Sequence, residues 1–164
     1  MIQDGYWSQE LRKQIFLIEI WKRLSSIFHP LAEHKINAAI LQSAVVVRKK
    51  YEDAAGAKRE LESASMKMPH NIILDATIPV TAYPYKSDLP LISNRVDPDN
   101  YAGGTKKNIP AKEVCNQIIH SHVWGLAHTQ KSLSGFLVSS DRLKTKELLY
   151  IEMTDWIAYL KQCI

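Results

Sequence analysis

The residues with the clearest chemical potential lie in one segment, AKEVCNQIIHSHVWG, which spans residues 111–125. If the segment is helical, Lys112, Asn116 and His120 follow one another at intervals of four and share one face. An imidazole can exchange a proton near neutral pH, an amide can orient it, and a lysine can hold a phosphate group as a point charge. The pattern therefore predicts acid–base chemistry on a phosphodiester, with His120 as the acid–base residue and Asn116 as its orienting partner. A solvated helix face with no chemical role is the alternative that the spacing leaves open.

Part of this segment, VCNQIIHSHVW, resembles the signature of the HEPN superfamily, the higher eukaryotes and prokaryotes nucleotide-binding proteins. Asn116 and His120 match the asparagine and histidine of that signature, whereas Cys115 stands at the family's arginine position. The resemblance implies a helical bundle, a homodimer and a metal-independent endoribonuclease of toxin–antitoxin or defence systems. In such an enzyme His120 activates the ribose 2′-hydroxyl or protonates the leaving oxygen.

Because a cysteine cannot provide the bidentate phosphate contact of an arginine, positive charge must come from another residue. Lys112 lies one turn before the asparagine and supplies charge without the fork geometry. Arg23, near the end of the first predicted helix, is a further candidate if the fold brings it to His120. Lys106 and Lys107 follow a pair of glycines in a segment predicted to be a mobile basic loop able to contact RNA or phosphate.

Two functional classes therefore remain open. The first is an endoribonuclease that uses His120. The second is a non-catalytic helical module that binds a partner protein, a nucleotide or RNA through the same polar stripe. A third possibility is a mainly helical α+β domain to which no role can be assigned.

The histidine and cysteine side chains of this segment do not predict a metal site. His120 and His122 point about 200° apart while the helix persists, so both cannot face one ion. Cys115 is predicted to be a small buried hydrophobic residue rather than a nucleophile. The sequence therefore predicts neither a metal nor another cofactor.

The positions of the seven prolines divide the chain into stretches of different character. Only Pro30 precedes residue 69, so the first part is predicted to be mostly helical, with helices over about 8–27 and 30–55 and a break at Gly56. Residues 69–109 are predicted to be a long irregular insert, in which Pro79 confines any strand to a sheet edge.

The last stretch is predicted to contain a helix, a hairpin and a second helix. Pro110 suits the first turn of a helix that runs to about Val123. Residues 133–138 and 148–153 are predicted to be two strands joined by a polar, basic turn, and a helix is predicted over 156–162. The predicted fold is α+β and predominantly helical: a helical bundle with an irregular insert and a C-terminal β-hairpin followed by a helix.

Composition places these elements in a single domain, residues 1–164, because 46% of the residues are hydrophobic and 23% are charged. Two cysteines exclude a disulfide scaffold and favour a reducing compartment. The start of the chain lacks the pattern of a signal peptide, and the most apolar stretch, residues 15–21, is too short to cross a bilayer. We therefore predict a cytoplasmic protein with no membrane association. Its net charge of +4 permits a polyanionic partner without requiring one.

Overall fold

A computed structural model of the protein describes residues 2–25, 29–67, 71–84, 103–129, 132–140 and 146–164. Two long helices come first in this part of the chain, and three shorter helices and five strands follow. The helices are α1 (Ile2–Leu24), α2 (His29–Ser63), α3 (Ile72–Asp75), α4 (Ala111–Ile119) and α5 (Met153–Gln162). The strands are β1 (Thr77–Pro84), β2 (Thr105–Pro110), β3 (Ser121–Thr129), β4 (Ser132–Ser140) and β5 (Glu147–Glu152).

The strands form one five-stranded sheet in the order β2-β1-β5-β4-β3, and every neighbouring pair is antiparallel. The α+β class is therefore confirmed. The arrangement is more extensive than the predicted hairpin, because β4 and β5 are neighbours within a sheet that also includes β1. The helices pack with one another and with this sheet in a common core.

Alternation along the strands explains how the sheet holds this core. Ile78, Val80 and Ala82 of β1 lie at every second position and are all buried. They join apolar side chains from the helices, which include Leu11, Ile15, Ile18, Ile36, Ile40, Val47, Val114, Ile118 and Trp156. A second, smaller buried cluster contains residues of β1, β3, β4 and β5, which are Tyr83, Ala127, Leu137, Leu148 and Tyr150.

The two long N-terminal helices differ from their predicted bounds. α1 begins at Ile2, and Ser8, the predicted N-cap, lies inside it. The Ser8 hydroxyl donates a hydrogen bond to the carbonyl oxygen of Ile164, at 3.2 Å. α2 continues through Gly56 to Ser63, so the predicted break is wrong. A helical glycine costs only about 1 kcal/mol relative to alanine, and alanines at 54, 55 and 57 favour continuation of the helix.

The predicted irregular insert contains regular structure. α3, β1 and β2 all fall between residues 69 and 110, whereas residues 85–102 lie outside the described part of the chain. β1 is not at the sheet edge, since β2 and β5 flank it. Pro79 is nevertheless accommodated because it pairs only with Asn108 of β2, and the pairing with β5 starts at Thr81. Its missing N–H therefore removes no hydrogen bond to β5.

The helix predicted to reach Val123 ends earlier. α4 stops at Ile119, and His120 is its C-cap residue, with φ −104° and ψ 28°. Ser121 begins β3, whose pairing with β4 places residues 121–123 in the sheet. The helical argument about His120 and His122 therefore does not apply, because His122 belongs to a strand.

Candidate functional site

A polar cavity of about 530 Å³ lies where α2, α4 and the end of β4 meet. Its wall includes the three residues of the predicted stripe, Lys112, Asn116 and His120. The fold adds four further side chains, which are Arg48, Glu113, Gln117 and Ser140. The four-residue spacing therefore places the predicted residues together, although α4 ends just before His120.

The opposite side of α4 fixes this helix to the core. Its buried apolar residues are Ala111, Val114, Cys115 and Ile118. Gln117, in the wall of the cavity, is buried as well. Gln117 also links two elements: its side-chain oxygen accepts a hydrogen bond from the Ser140 amide at 3.0 Å, and its Nε2 donates to Glu113 Oε1 at 3.2 Å. The polar face of α4 is therefore held against the end of β4.

Arg48, on α2, supplies the guanidinium that the sequence analysis did not find near His120. Its Nη1 donates a hydrogen bond to Asn116 Oδ1, and its Nε donates to Glu52 Oε1 at 3.1 Å. Since a guanidinium has five N–H donors, these bonds use two of them and leave three for a ligand. The Asn116 side chain thus orients Arg48, and the structure gives it no bond to the His120 imidazole, which was its predicted partner.

No local motif marks Arg48 in the sequence. It lies 68 residues before Asn116, in a run of charged residues on α2 that is typical of a solvated helix face. The only signal is its place one turn beyond the buried Ala44 on a helix predicted to be central to the fold. Its role therefore emerges only from the packing of α2 against α4.

The His120 imidazole is exposed at the rim of the cavity. Its backbone N–H donates to the Asn116 carbonyl oxygen at 3.0 Å, which closes the last turn of α4. Within the part of the chain that the structure describes, the imidazole has no hydrogen bond or ion pair. Both ring nitrogens are therefore available to a ligand.

Lys112 is held on the side of the cavity nearest α2. Its ammonium lies 4.7 Å from the centre of the Tyr51 ring, which is a cation–π contact. Because this contact does not neutralise the ammonium, Lys112 still presents its charge to the cavity.

The charge of the cavity favours an anion. Among the described residues of its wall, Arg48 and Lys112 face one carboxylate, that of Glu113. Glu52 lies just outside it, and hydrogen bonds from Lys49 and Arg48 hold the pKa of its carboxyl below its usual value. Glu52 therefore stays ionised and positions Arg48 by accepting the hydrogen bond from its Nε.

The other predicted phosphate contacts lie in different parts of the fold. Arg23 lines a separate cavity of about 640 Å³ between α1 and α5, together with Lys22 and Lys161. It does not line the cavity of His120. The arginine beside His120 is Arg48 rather than Arg23.

Lys106 and Lys107 also lie outside the wall of the His120 cavity. They belong to β2, which pairs with β1, so the prediction of a loop is wrong at these positions. The Lys107 ammonium forms an ion pair with Glu147. Both lysines border a third depression, which includes Asp155 rather than His120.

Cys115 is completely buried, as predicted for a small hydrophobic residue. Desolvation raises the pKa of its thiol well above the ordinary value. A buried, protonated thiol cannot contact phosphate, so the residue at the family's arginine position belongs to the core.

Within the described residues, no group of three or more histidine, cysteine or acidic side chains is arranged to hold a metal ion. None of the described helices combines the length and the apolar character needed to cross a membrane. Comparisons of the chain with protein-family models, curated proteins and solved structures found no match.

Proposed function

We propose that the protein is a HEPN-like endoribonuclease that binds the RNA backbone in the cavity of His120 and cleaves it without a metal ion. The observation that carries the proposal is the placement of the His120 imidazole, which bonds to no side chain that the structure describes, beside two cations, Arg48 and Lys112. A phosphodiester needs both charge neutralisation and proton transfer for cleavage. This cavity offers both.

The proposed reaction is an internal transesterification. The ribose 2′-oxygen attacks the adjacent phosphorus, a new P–O2′ bond forms, and the P–O5′ bond breaks. The products are a 2′,3′-cyclic phosphate and a 5′-hydroxyl. The 2′-hydroxyl proton goes to a base, and the departing O5′ receives a proton from an acid. His120 performs one of these transfers, and Glu113, in the same wall, is available for the other.

Arg48 takes the role that Cys115 cannot fill. Its guanidinium is fixed by Glu52 and Asn116, so its free N–H groups are oriented before the ligand binds. Such preorganised donors stabilise the charge that develops on the non-bridging phosphate oxygens. Lys112 adds a second positive charge.

The test is cleavage of an end-labelled, unstructured RNA in the presence of EDTA. We expect the wild-type protein to release a 2′,3′-cyclic phosphate product and His120→Ala to be at least about 100-fold slower, which is the usual contribution of one acid–base group. His34→Ala, an exposed histidine of α2 outside the cavity, is the matched control. Equal rates for His120→Ala and the wild type would refute the catalytic proposal.

A non-catalytic RNA- or nucleotide-binding module is the second candidate. It is favoured by the imidazole of His120, which no side chain in the described part of the protein orients. This second candidate would be supported if the protein binds RNA without cleaving it. Arg48→Ala should then weaken binding, and Arg12→Ala should leave it unchanged. Arg12 is an exposed arginine of α1 outside the cavity.

A homodimer in the cytoplasm completes the proposal. The dimer rests on the HEPN resemblance, and the compartment rests on two buried free thiols, Cys115 and Cys163, which suit a reducing environment. Size-exclusion chromatography coupled to light scattering measures the oligomeric state, and a monomer at all concentrations would refute the homodimer.

A further inference from the structure

A second depression, of about 400 Å³, adjoins the cavity of His120. The two share Arg48 and Lys112 in their walls. The two depressions therefore lie side by side along the C-terminal half of α2, with His120 in the wall of the first and Lys58 and Arg59 in the wall of the second. Together they are called the groove below. The shared cations therefore lie in the middle of a longer binding surface.

The floor of the second depression suits a planar, apolar group. Tyr51, Ala55 and Leu74 all line it and are half-buried. The ammonium of Lys112 lies over one face of the Tyr51 ring, 4.7 Å from its centre. Aromatic side chains beside cations are the usual platforms on which the bases of single-stranded nucleic acids stack.

The far end of the groove carries two more cations. Lys58 makes only a long ion pair with Glu62, at 4.0 Å, and Arg59 has no acidic partner among the described residues. The depression also contains two carboxylates, Glu52 and Asp75. Glu52 is occupied by Arg48 and Lys49, and Asp75 accepts the Asn71 amide at 3.3 Å. Among the described residues, the wall of this depression therefore contains four cations and two carboxylates, so its net charge is positive.

The length of the groove bears on the size of the ligand. Arg48 and Arg59 are separated by eleven residues of one helix, which corresponds to about 16 Å along its axis. A nucleoside monophosphate cannot reach both ends, whereas a short extended strand can.

We propose that this groove is a subsite for the nucleotide next to the one at His120, so that the ligand is a single-stranded RNA rather than a mononucleotide or a duplex. One phosphate contacts Arg48 and Lys112, whose ammonium leaves the Tyr51 ring to reach it. The adjoining base stacks on the ring face that Lys112 has left, and the next phosphate contacts Lys58 and Arg59. A duplex is excluded because its bases are already stacked and paired and cannot reach the floor. The inference rests on the proposed function for its choice of RNA.

The test measures binding of a fluorescent, unstructured 2′-O-methyl RNA, which cannot be cleaved because its attacking hydroxyl is blocked. We expect Lys58→Ala/Arg59→Ala to weaken this binding at least about tenfold, since two phosphate contacts are lost. The charge-matched control is Arg12→Ala/Lys35→Ala, which removes two exposed cations outside the groove. Equal affinities of the two double variants would overturn the proposal.

Two further ligands test the length and the strandedness that the groove requires. Adenosine monophosphate should bind the wild type and Lys58→Ala/Arg59→Ala equally, because it occupies only one end of the groove. A blunt RNA duplex should compete at least about tenfold more weakly than the single strand. Equal competition by the duplex would also overturn the proposal. Tyr51→Leu keeps an apolar side chain and should weaken single-strand binding through loss of stacking.

These outcomes separate the subsite from the catalytic proposal. If cleavage depends on His120 but single-strand binding is unchanged in Lys58→Ala/Arg59→Ala, the endoribonuclease proposal is supported and the subsite is refuted. If binding depends on Lys58 and Arg59 but the wild type does not cleave RNA, the subsite is supported and the catalytic role of His120 is refuted.

Discussion

At the scale of single residues, the site depends on the way Arg48 is held. The guanidinium lies between α2 and α4, with Glu52 on its own helix and Asn116 on the other. A lysine at this position has the same charge but a single ammonium group, which cannot form this pair of directed bonds together with a bidentate phosphate contact. Charge and geometry can therefore be separated experimentally at this residue.

Arg48→Lys is expected to weaken binding of the 2′-O-methyl RNA roughly tenfold or more, which corresponds to the loss of a charged hydrogen bond worth about 1.5–3 kcal/mol. Fluorescence anisotropy measures the dissociation constant. Arg12→Lys, on the exposed face of α1, is the control and should leave the affinity unchanged. A wild-type affinity for Arg48→Lys would show that charge alone matters at this position.

At the scale of the elements, the spacing of the central strands depends on Gly135 of β4. It pairs with Glu152 of β5 on one side and with Ala127 of β3 on the other. A Cβ atom at this position would overlap the Ile151 carbonyl oxygen and lie 2.7 Å from a ring carbon of Tyr150. The β4–β5 pairing therefore requires a residue without a side chain here.

Gly135→Ala should lower the free energy of unfolding by about 1–3 kcal/mol, because the strand or the Tyr150 ring must move. Gly56→Ala is the matched control: it lies within α2, where an added Cβ atom would meet nothing within 4 Å. That variant should gain about 0.4–1 kcal/mol. Urea unfolding followed by circular dichroism measures both. Stability equal to the wild type in Gly135→Ala would contradict the close approach.

Sequence periodicity was sufficient for elements whose partners are close in the chain. It predicted α2 up to Gly56, the polar face of α4, and the strands β4 and β5. It failed for β2, whose sequence TKKNIP has little strand character and is ordered by pairing with β1. It also failed at residues 121–123, where pairing with β4 ends the helical pattern.

The same limit applies to the candidate site. Lys112, Asn116 and His120 come from one helix and its cap, so their spacing was enough to bring them together. Arg48 comes from a helix far away in the chain, and its contact with Asn116 depends on tertiary packing that no local pattern reports.

At the scale of the whole molecule, the two thiols are parts of the common core. Cys115 and Cys163 are both buried and reduced. Desolvation raises the pKa of each thiol in the folded protein. In the unfolded chain a thiol ionises near its ordinary pKa of about 8.5. Above that pH the native state therefore holds more protons than the unfolded state, and stability falls as the pH rises.

The urea midpoint should consequently decrease between about pH 7.5 and pH 9.5, within the range set by the ordinary thiol pKa. Cys115→Ala/Cys163→Ala removes the titrating groups and should make the midpoint less dependent on pH, even if the variant is less stable at every pH. An equally steep decrease in the double variant would assign the effect to other groups.

The strand order also constrains how the chain can fold during synthesis. β5 lies in the middle of the sheet, and it joins the β2–β1 pair to the β4–β3 pair. Thr81 of β1, for example, has its β5 partner in Tyr150, far along the chain. On a translating ribosome, α1 and α2 can pack as soon as they emerge, but the two strand pairs cannot become one sheet until residues 147–152 have left the exit tunnel. Until then β1 can pair with β2 alone, and the strand edge that meets β5 in the folded protein has no partner.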